Sequence, residues 1–461
     1  MQTLQRSLFL VVLSSSGLMA ACDDDEASLR VVHASPGAPT VDVYTAGSGV
    51  PFATVAYGET SLYAQLVPGD YNLIVRVAGT DTVLYETGTI NIDDNDDVIT
   101  AVAAGDITST DPDKSFRVLP LFENFGDDDG GEARIRIVHA SPDAPAVDID
   151  LNDDGSIDIK SLTRFGDTGA NGIEVPSDTA LQIGISAGGE RLTAFTTPPL
   201  PSRGDVFVIA TGFVADLPRE ATGFSLLAVD IDGVLAAIAQ NPTVYALHVS
   251  PDAPALDVRA NGALAYPDLA FSELAPAQVP PGDYTLTFSP VGDPDVTVAS
   301  ARLVGLAAGE RYLAIATGML TPAAPDEARF NVTAYQDQFT LDAAPRIRAI
   351  HASPDAPTVD ISTVTGNQLD TPPVIAELTF TEATSGDGLA LPATPALTIG
   401  IAPTRTTTPF ATFDLNTSGA PRELVIAAGA LSPATDEQFF RLFTVDTRPS
   451  PWSIGTIFAN P

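Results

Sequence analysis

Apolar and polar residues alternate over short runs along most of the chain, as in YNLIVRV (71–77), ALQIGI (180–185) and DYTLTF (283–288). These runs are rich in β-branched and aromatic residues and are bounded by Pro, Gly, Asp or Asn, which is the signature of strands and turns. No run holds a convincing 3.6-residue periodicity, so the pattern predicts an all-β protein. Beyond the amino terminus, no uncharged apolar run reaches the roughly 20 residues that a membrane-spanning helix needs.

The alternating segments recur in a fixed order, four times. Each copy opens on a strand that ends in histidine: His33, His139, His248 and His351, spaced 106, 109 and 103 residues apart. A turn and strand follow (VPGDYNLIV, VPSDTALQIGI, VPPGDYTLTF, LPATPALTIGI), then an apolar strand ending at Gly105, Gly212, Gly318 or Gly429. A closing strand completes each copy: FRVLPLF, FSLLAVDI, FNVTAYQ and FRLFTVD. The period is that of a sandwich domain and well above that of a solenoid. The pattern therefore predicts four tandem antiparallel β-sandwiches, immunoglobulin-like in the loose architectural sense, over 29–125, 134–232, 243–340 and 346–446. The intervening stretches 126–133, 232–242 and 341–345 read as short linkers, and 447–461 as a C-terminal tail.

The first 21 residues break this pattern. MQTLQR carries one positive charge, SLFLVVLSSSGLMAA is a short apolar core ending in small residues, and Cys22 follows as the only cysteine. This segment resembles a bacterial lipoprotein signal, with cleavage before Cys22 and acylation of its thiol and amino group. An acidic tether, 22–28, then leads to the first strand. The implied address is the bacterial cell envelope, either periplasm-facing or at the cell surface, with the lipid as anchor. A lone thiol leaves no internal disulfide, so stability has to come from buried cores.

Composition narrows the partners. With 22 Lys and Arg against 59 Asp and Glu, the formal charge is −37, which repels nucleic acid and anionic headgroups. Because 44% of residues are hydrophobic, the chain can still bury cores rather than remain a disordered polyanion.

All four histidines lie in one recurring phrase, typified by IVHASPDAPAVDID (137–150). Alternation puts Ile135, Ile137 and His139 on one face, which turns the imidazole toward the core at the end of its strand. The SPDAP loop that follows reads as a corner built by two prolines. An aspartate recurs nine residues after each histidine, at Asp42, Asp148, Asp257 and Asp360. His, Ser and Asp together invite a hydrolase reading. However, alternation turns Asp148 outward, away from an inward His139, and no nucleophile elbow accompanies the phrase. The corner reading is preferred, with no catalytic residues assigned.

The phrase V-H-A-S-P-D-A-P-x-V-D-V, followed by a P-G-x-Y strand, is similar to domain-of-unknown-function family 4397. The resemblance extends over residues 29–446, with Gly37 replacing the aspartate in the first copy and HVS replacing HAS in the third. It implies an extracytoplasmic bacterial β-domain, often in tandem on secreted or lipid-anchored proteins, and brings no catalytic residues with it.

One hairpin differs from its counterparts. DLNDDGSID places Asp150, Asn152, Asp154, Ser156 and Asp158 at alternate positions around Gly155, a calcium-loop pattern whose twelfth position is Ser161 rather than a bidentate acid. An ordinary solvated hairpin is the preferred reading there, with weak calcium binding as the alternative. The sequence as a whole points to a non-catalytic, lipid-anchored envelope protein for binding, adhesion or spacing. Its partners would be the membrane, through the lipid, and an envelope protein or polysaccharide. Calcium-dependent carbohydrate binding is one alternative, and hydrolysis by the repeated phrase another.

Overall fold

A computed structural model describes residues 26–126, 130–321, 324–433 and 438–461. The signal segment, Cys22 and most of the tether fall outside these residues. The chain divides into two units, 1–126 and 127–461. The described residues are all-β, apart from short 3-10 turns such as Asp326–Ala328.

One pair of sheets recurs in each repeat. In the first unit, one sheet holds Arg117–Phe122, Val98–Ala104, Ala27–His33 and Ala64–Leu66 in that order, and the other holds Ala53–Val55, Val41–Thr45, Leu73–Val77 and Val83–Glu86. Their inner faces share one core, in which Leu29, Val31, Ile99 and Ala101 meet Val41, Val43, Leu73 and Val75. The second unit repeats this arrangement three times, with cores centred on Ile135 and Phe195, on Val258 and Phe288, and on Ile361 and Phe413.

The sheets are antiparallel except at one place in each repeat. The opening strand pairs in parallel with the strand that ends in glycine: Ala27–His33 with Val98–Ala104, Ala133–His139 with Asp205–Thr211, Thr243–His248 with Arg311–Thr317, and Arg346–Ala352 with Arg422–Ala428. The antiparallel sandwich expected from the sequence holds elsewhere, and this one parallel pairing has a physical cause. After the histidine corner, the chain leaves for the other sheet and returns some 70 residues later. That long crossover allows parallel pairing, which a tight hairpin forbids. Central parallel strands are buried on both faces, which explains the unbroken apolar runs DVFVIAT and RYLAIAT, buried at nearly every position.

Two segments read as linker and tail are strands. Gly233–Ala239 pairs antiparallel with Ser225–Asp230, and Ser453–Ile457 pairs with Arg441–Asp446, each adding a fifth strand to its sheet. Within the second unit, the third and fourth repeats are fused through their outer faces. Tyr245, Leu247, Leu313 and Ile315 pack against Ile350, Leu424, Ile426 and Phe443 in a core of their own. Trp452, from the supposed tail, enters this core 5% exposed and stacks on Tyr245 with ring centroids 4.1 Å apart.

Candidate functional site

The recurring phrase is the natural candidate, and its atoms can be followed copy by copy. Each imidazole is almost wholly buried, at 0–1% exposure. Its Nε2 lies 2.9–3.1 Å from the carbonyl oxygen of the second proline of the loop: Pro39, Pro145, Pro254 and Pro357. A carbonyl can only accept, so Nε2 carries the proton and the ring is the neutral Nε2–H tautomer. Nδ1 is then an acceptor, and it takes the backbone N–H of Ser35, Ser250 and Ser353 at 3.2–3.4 Å. His139 Nδ1 has no partner within bonding distance. Burial pushes all four imidazoles below the ordinary histidine value, against the opposing pull of the proline carbonyls.

The serine two residues on faces away from the ring. Its hydroxyl donates to the carbonyl of the distant glycine: Ser35 to Gly105 (2.5 Å), Ser141 to Gly212 (2.7 Å) and Ser250 to Gly318 (2.6 Å). The glycine is required for two reasons. Gly318 has φ +86°, and a Cβ there would sit 2.2 Å from the Arg329 carbonyl oxygen. Gly105, Gly212 and Gly429 are equally confined. The loop aspartate secures the same crossing, since Asp143, Asp252 and Asp355 each accept two successive N–H groups just beyond the glycine, at 2.7–3.0 Å. In the first repeat, where Gly37 replaces this aspartate, Asp106 next to the glycine accepts the Thr108 N–H instead (2.7 Å).

The aspartates nine residues after each histidine do not reach the ring. Asp148, Asp257 and Asp360 accept the N–H of Ser161, Asp268 and Glu377 at 2.7–2.9 Å. Those three donors have left-handed φ of 49–54° and sit where the neighbouring strand bulges. Here the carboxylate pins an extra residue that the ladder leaves unpaired. In the first repeat the pairing is regular, and Asp42 accepts the Thr54 hydroxyl (2.6 Å) and the Gly79 N–H (2.8 Å) instead. Hydrogen bonds from Asp268 and Gly292 hold Asp257 below the usual carboxylate range. Burial opposes the same lowering at Asp360, where the Glu377, Arg405 and Thr404 donors outweigh it.

The calcium-loop residues are committed to the backbone as well. Asp150 Oδ1 accepts from Asn152 N and Asp154 N (both 3.2 Å) and Oδ2 from Gly155 N (2.6 Å), Asp154 accepts from Ser156 N (2.9 Å), and Asp158 accepts from Leu151 N (2.8 Å). The cation beside this loop is Arg191, in a bidentate pair with Asp153 at 2.5 and 2.8 Å. Among the described residues, no three His, Cys, Asp or Glu side chains converge as metal ligands.

Some contributors were not singled out in the sequence. A residue from the next loop covers each imidazole: Tyr57, Phe271 and Phe380 edge-on at 6.0–6.2 Å. Arg164 covers the second copy and donates to the Ala144 carbonyl (2.8 Å). The residue after each, Gly58, Phe165, Ser272 or Thr381, is left-handed and returns its N–H to the histidine carbonyl at 2.7–2.8 Å. The available signal was the short similarity among YGET, FSEL and FTEA.

A family model described as Domain of unknown function (DUF4397) matches residues 27–150 and 242–362, and the chain belongs to that family. Each match begins at or just before an opening strand and runs through the phrase of the following repeat. No curated protein matches the chain.

Proposed function

We propose that this member of the DUF4397 family is a non-catalytic, lipid-anchored protein of the bacterial cell envelope that works as a binding or spacer module. The observation that supports the non-catalytic reading is the commitment of the phrase's polar atoms. A serine nucleophile needs a hydroxyl within reach of an imidazole base. In this chain the Ser35, Ser141 and Ser250 hydroxyls donate to glycine carbonyls, and the imidazoles donate to proline carbonyls. The third member is engaged elsewhere, at a bulge in three copies and with Thr54 and Gly79 in the first.

The lipid anchor rests on the pairing of a short apolar leader with the only cysteine, Cys22. Labelling cells with an alkyne fatty acid tests it. Label on the wild-type chain, and its loss together with release from the membrane fraction in Cys22→Ala, is the expected outcome. An unlabelled wild-type chain would remove the anchor from the reading.

A further inference from the structure

The four repeats end on equivalent closing strands, and their outer edges are treated differently. In the third repeat the Asp337 N–H donates to the Arg311 carbonyl (2.8 Å) across the ladder. Counting back by alternation, Tyr335 and Thr333 turn their backbone groups inward, and Gln336, Ala334 and Val332 turn theirs outward. The Gln336 carbonyl, taken by Arg348 Nη1 at 3.0 Å, agrees with this count. In the first repeat the count starts from the Glu123 N–H on the Val98 carbonyl (2.7 Å) and turns Pro120 outward.

Aligned on the phenylalanine that precedes each closing strand, the central outward residue is Pro120, Ala228, Ala334 or Thr444. Proline offers no N–H and blunts an edge. Ala228 is paired with Ala236 of the added strand Gly233–Ala239, and Thr444 with Gly455 of Ser453–Ile457. Ala334 has neither protection. Among the described residues its strand, Asn331–Gln336, pairs on one side only, and Ala334 itself is exposed. The sequence NVTAYQ contains no charge and no proline, the two devices that usually guard such an edge.

We propose that this edge of the third repeat is a docking site at which an extended, uncharged segment of a partner protein adds as an antiparallel strand. The two covered edges indicate the chemistry of the occupant. GVLAAIA and SIGTI are both uncharged, and both pair antiparallel. At the amino-terminal end of the open edge, beside Asn331, lies a groove of about 520 Å³ walled by Phe330, Phe380 and Thr381 and rimmed by Asp326, Glu327 and Arg329, which leaves room at that end for an incoming segment. Arg348 takes the Gln336 carbonyl at one end and the Asn331 side chain takes the Val332 N–H (2.8 Å) at the other, so the added strand is short and centred on Ala334. The proposal rests on the binding reading above and gives it a place.

The test is a titration of the full chain, in detergent, with a labelled, end-capped peptide of residues 233–242, followed by fluorescence anisotropy and calorimetric stoichiometry. One site is expected, with Ala334→Pro weakening it at least about tenfold. Pro120→Ala, which opens the equivalent edge in the first repeat, is expected to raise the stoichiometry to two. The first repeat already folds with proline at this position, and far-UV circular dichroism checks the fold of Ala334→Pro. Absent binding, or binding that Ala334→Pro leaves unchanged, overturns the proposal. If that variant unfolds, Pro120→Ala decides, and an unchanged stoichiometry overturns it. A concentration-dependent dimer abolished by Ala334→Pro would assign the edge to a second copy and overturn the partner assignment. Failure of lipid labelling at Cys22 would leave this titration untouched.

Discussion

At the scale of single residues, the recurring histidine is a buried fastener that joins the end of one strand to the loop that follows. His351→Ala would remove the bond to the Pro357 carbonyl, leave that oxygen unsatisfied and open a cavity, at a combined cost of about 2–4 kcal/mol. Chemical denaturation of the fourth repeat, followed by hydrogen exchange, checks this. The same burial sets a pH dependence. All four imidazoles are lowered by desolvation, so the unfolded chain takes up protons before the folded one does. Stability is therefore full above about pH 6.5 and is lost as the pH falls below it. Asp257 and Asp360, held low in the fold, add a second loss below about pH 4. Thermal midpoints measured from pH 7.5 to pH 4 should fall along that course, and His351→Gln should make the upper part of the fall shallower. A midpoint flat from pH 7 to pH 5 would contradict neutral burial.

At the scale of elements, hairpins and crossings are held by carboxylates that accept backbone N–H groups. Asp360→Ala frees the bulge at Glu377 and the turn at Arg405, and amide exchange at those two residues should rise by about tenfold or more, with the inner strands unaffected. The Asp150 loop is closed in the same manner, so millimolar calcium should leave the thermal midpoint unmoved in wild type, and Asp150→Ala should lower it by loosening the hairpin. A calcium-dependent rise in wild type, absent from Asp150→Ala, would favour the metal reading instead. Much of this scale was legible in the sequence. Alternation placed His139 inward, and two prolines marked the corner. The parallel pairing was not legible, because a strand's partner is set by where the crossover returns and not by its own residues. The strands Gly233–Ala239 and Ser453–Ile457 were missed for a related reason. GVLAAIA is rich in alanine, and SIGTI is a five-residue run exposed at most positions, so neither stands out in the sequence as a strand without the edge it pairs with.

At the scale of the whole molecule, the sequence located repeats but not the surfaces through which they meet. Within the second unit, the third and fourth repeats share an apolar core, and polar contacts link the second to the third, with Gln278 donating to Thr193 (3.0 Å) and Arg219 to the Phe339 carbonyl (2.9 Å). Arg348 lies over the Tyr335 ring at 5.4 Å and is depressed by burial, and the Tyr335 phenol is pushed up to about 12 by the same burial. Trp452 joins this junction from just before the last strand, so Trp452→Ala should cost about 3–5 kcal/mol and weaken the third and fourth repeats together. Hydrogen exchange resolves this, because loss confined to the fourth repeat would argue against a shared core. The account as a whole depends on each imidazole being a neutral, buried strut. Nitrogen-15 spectra of the four histidines during an acid titration test that most directly. Four Nε2–H tautomers that titrate below the ordinary histidine value are predicted. A histidine that titrates at or above its ordinary value, or that changes on addition of an ester substrate, would contradict the account.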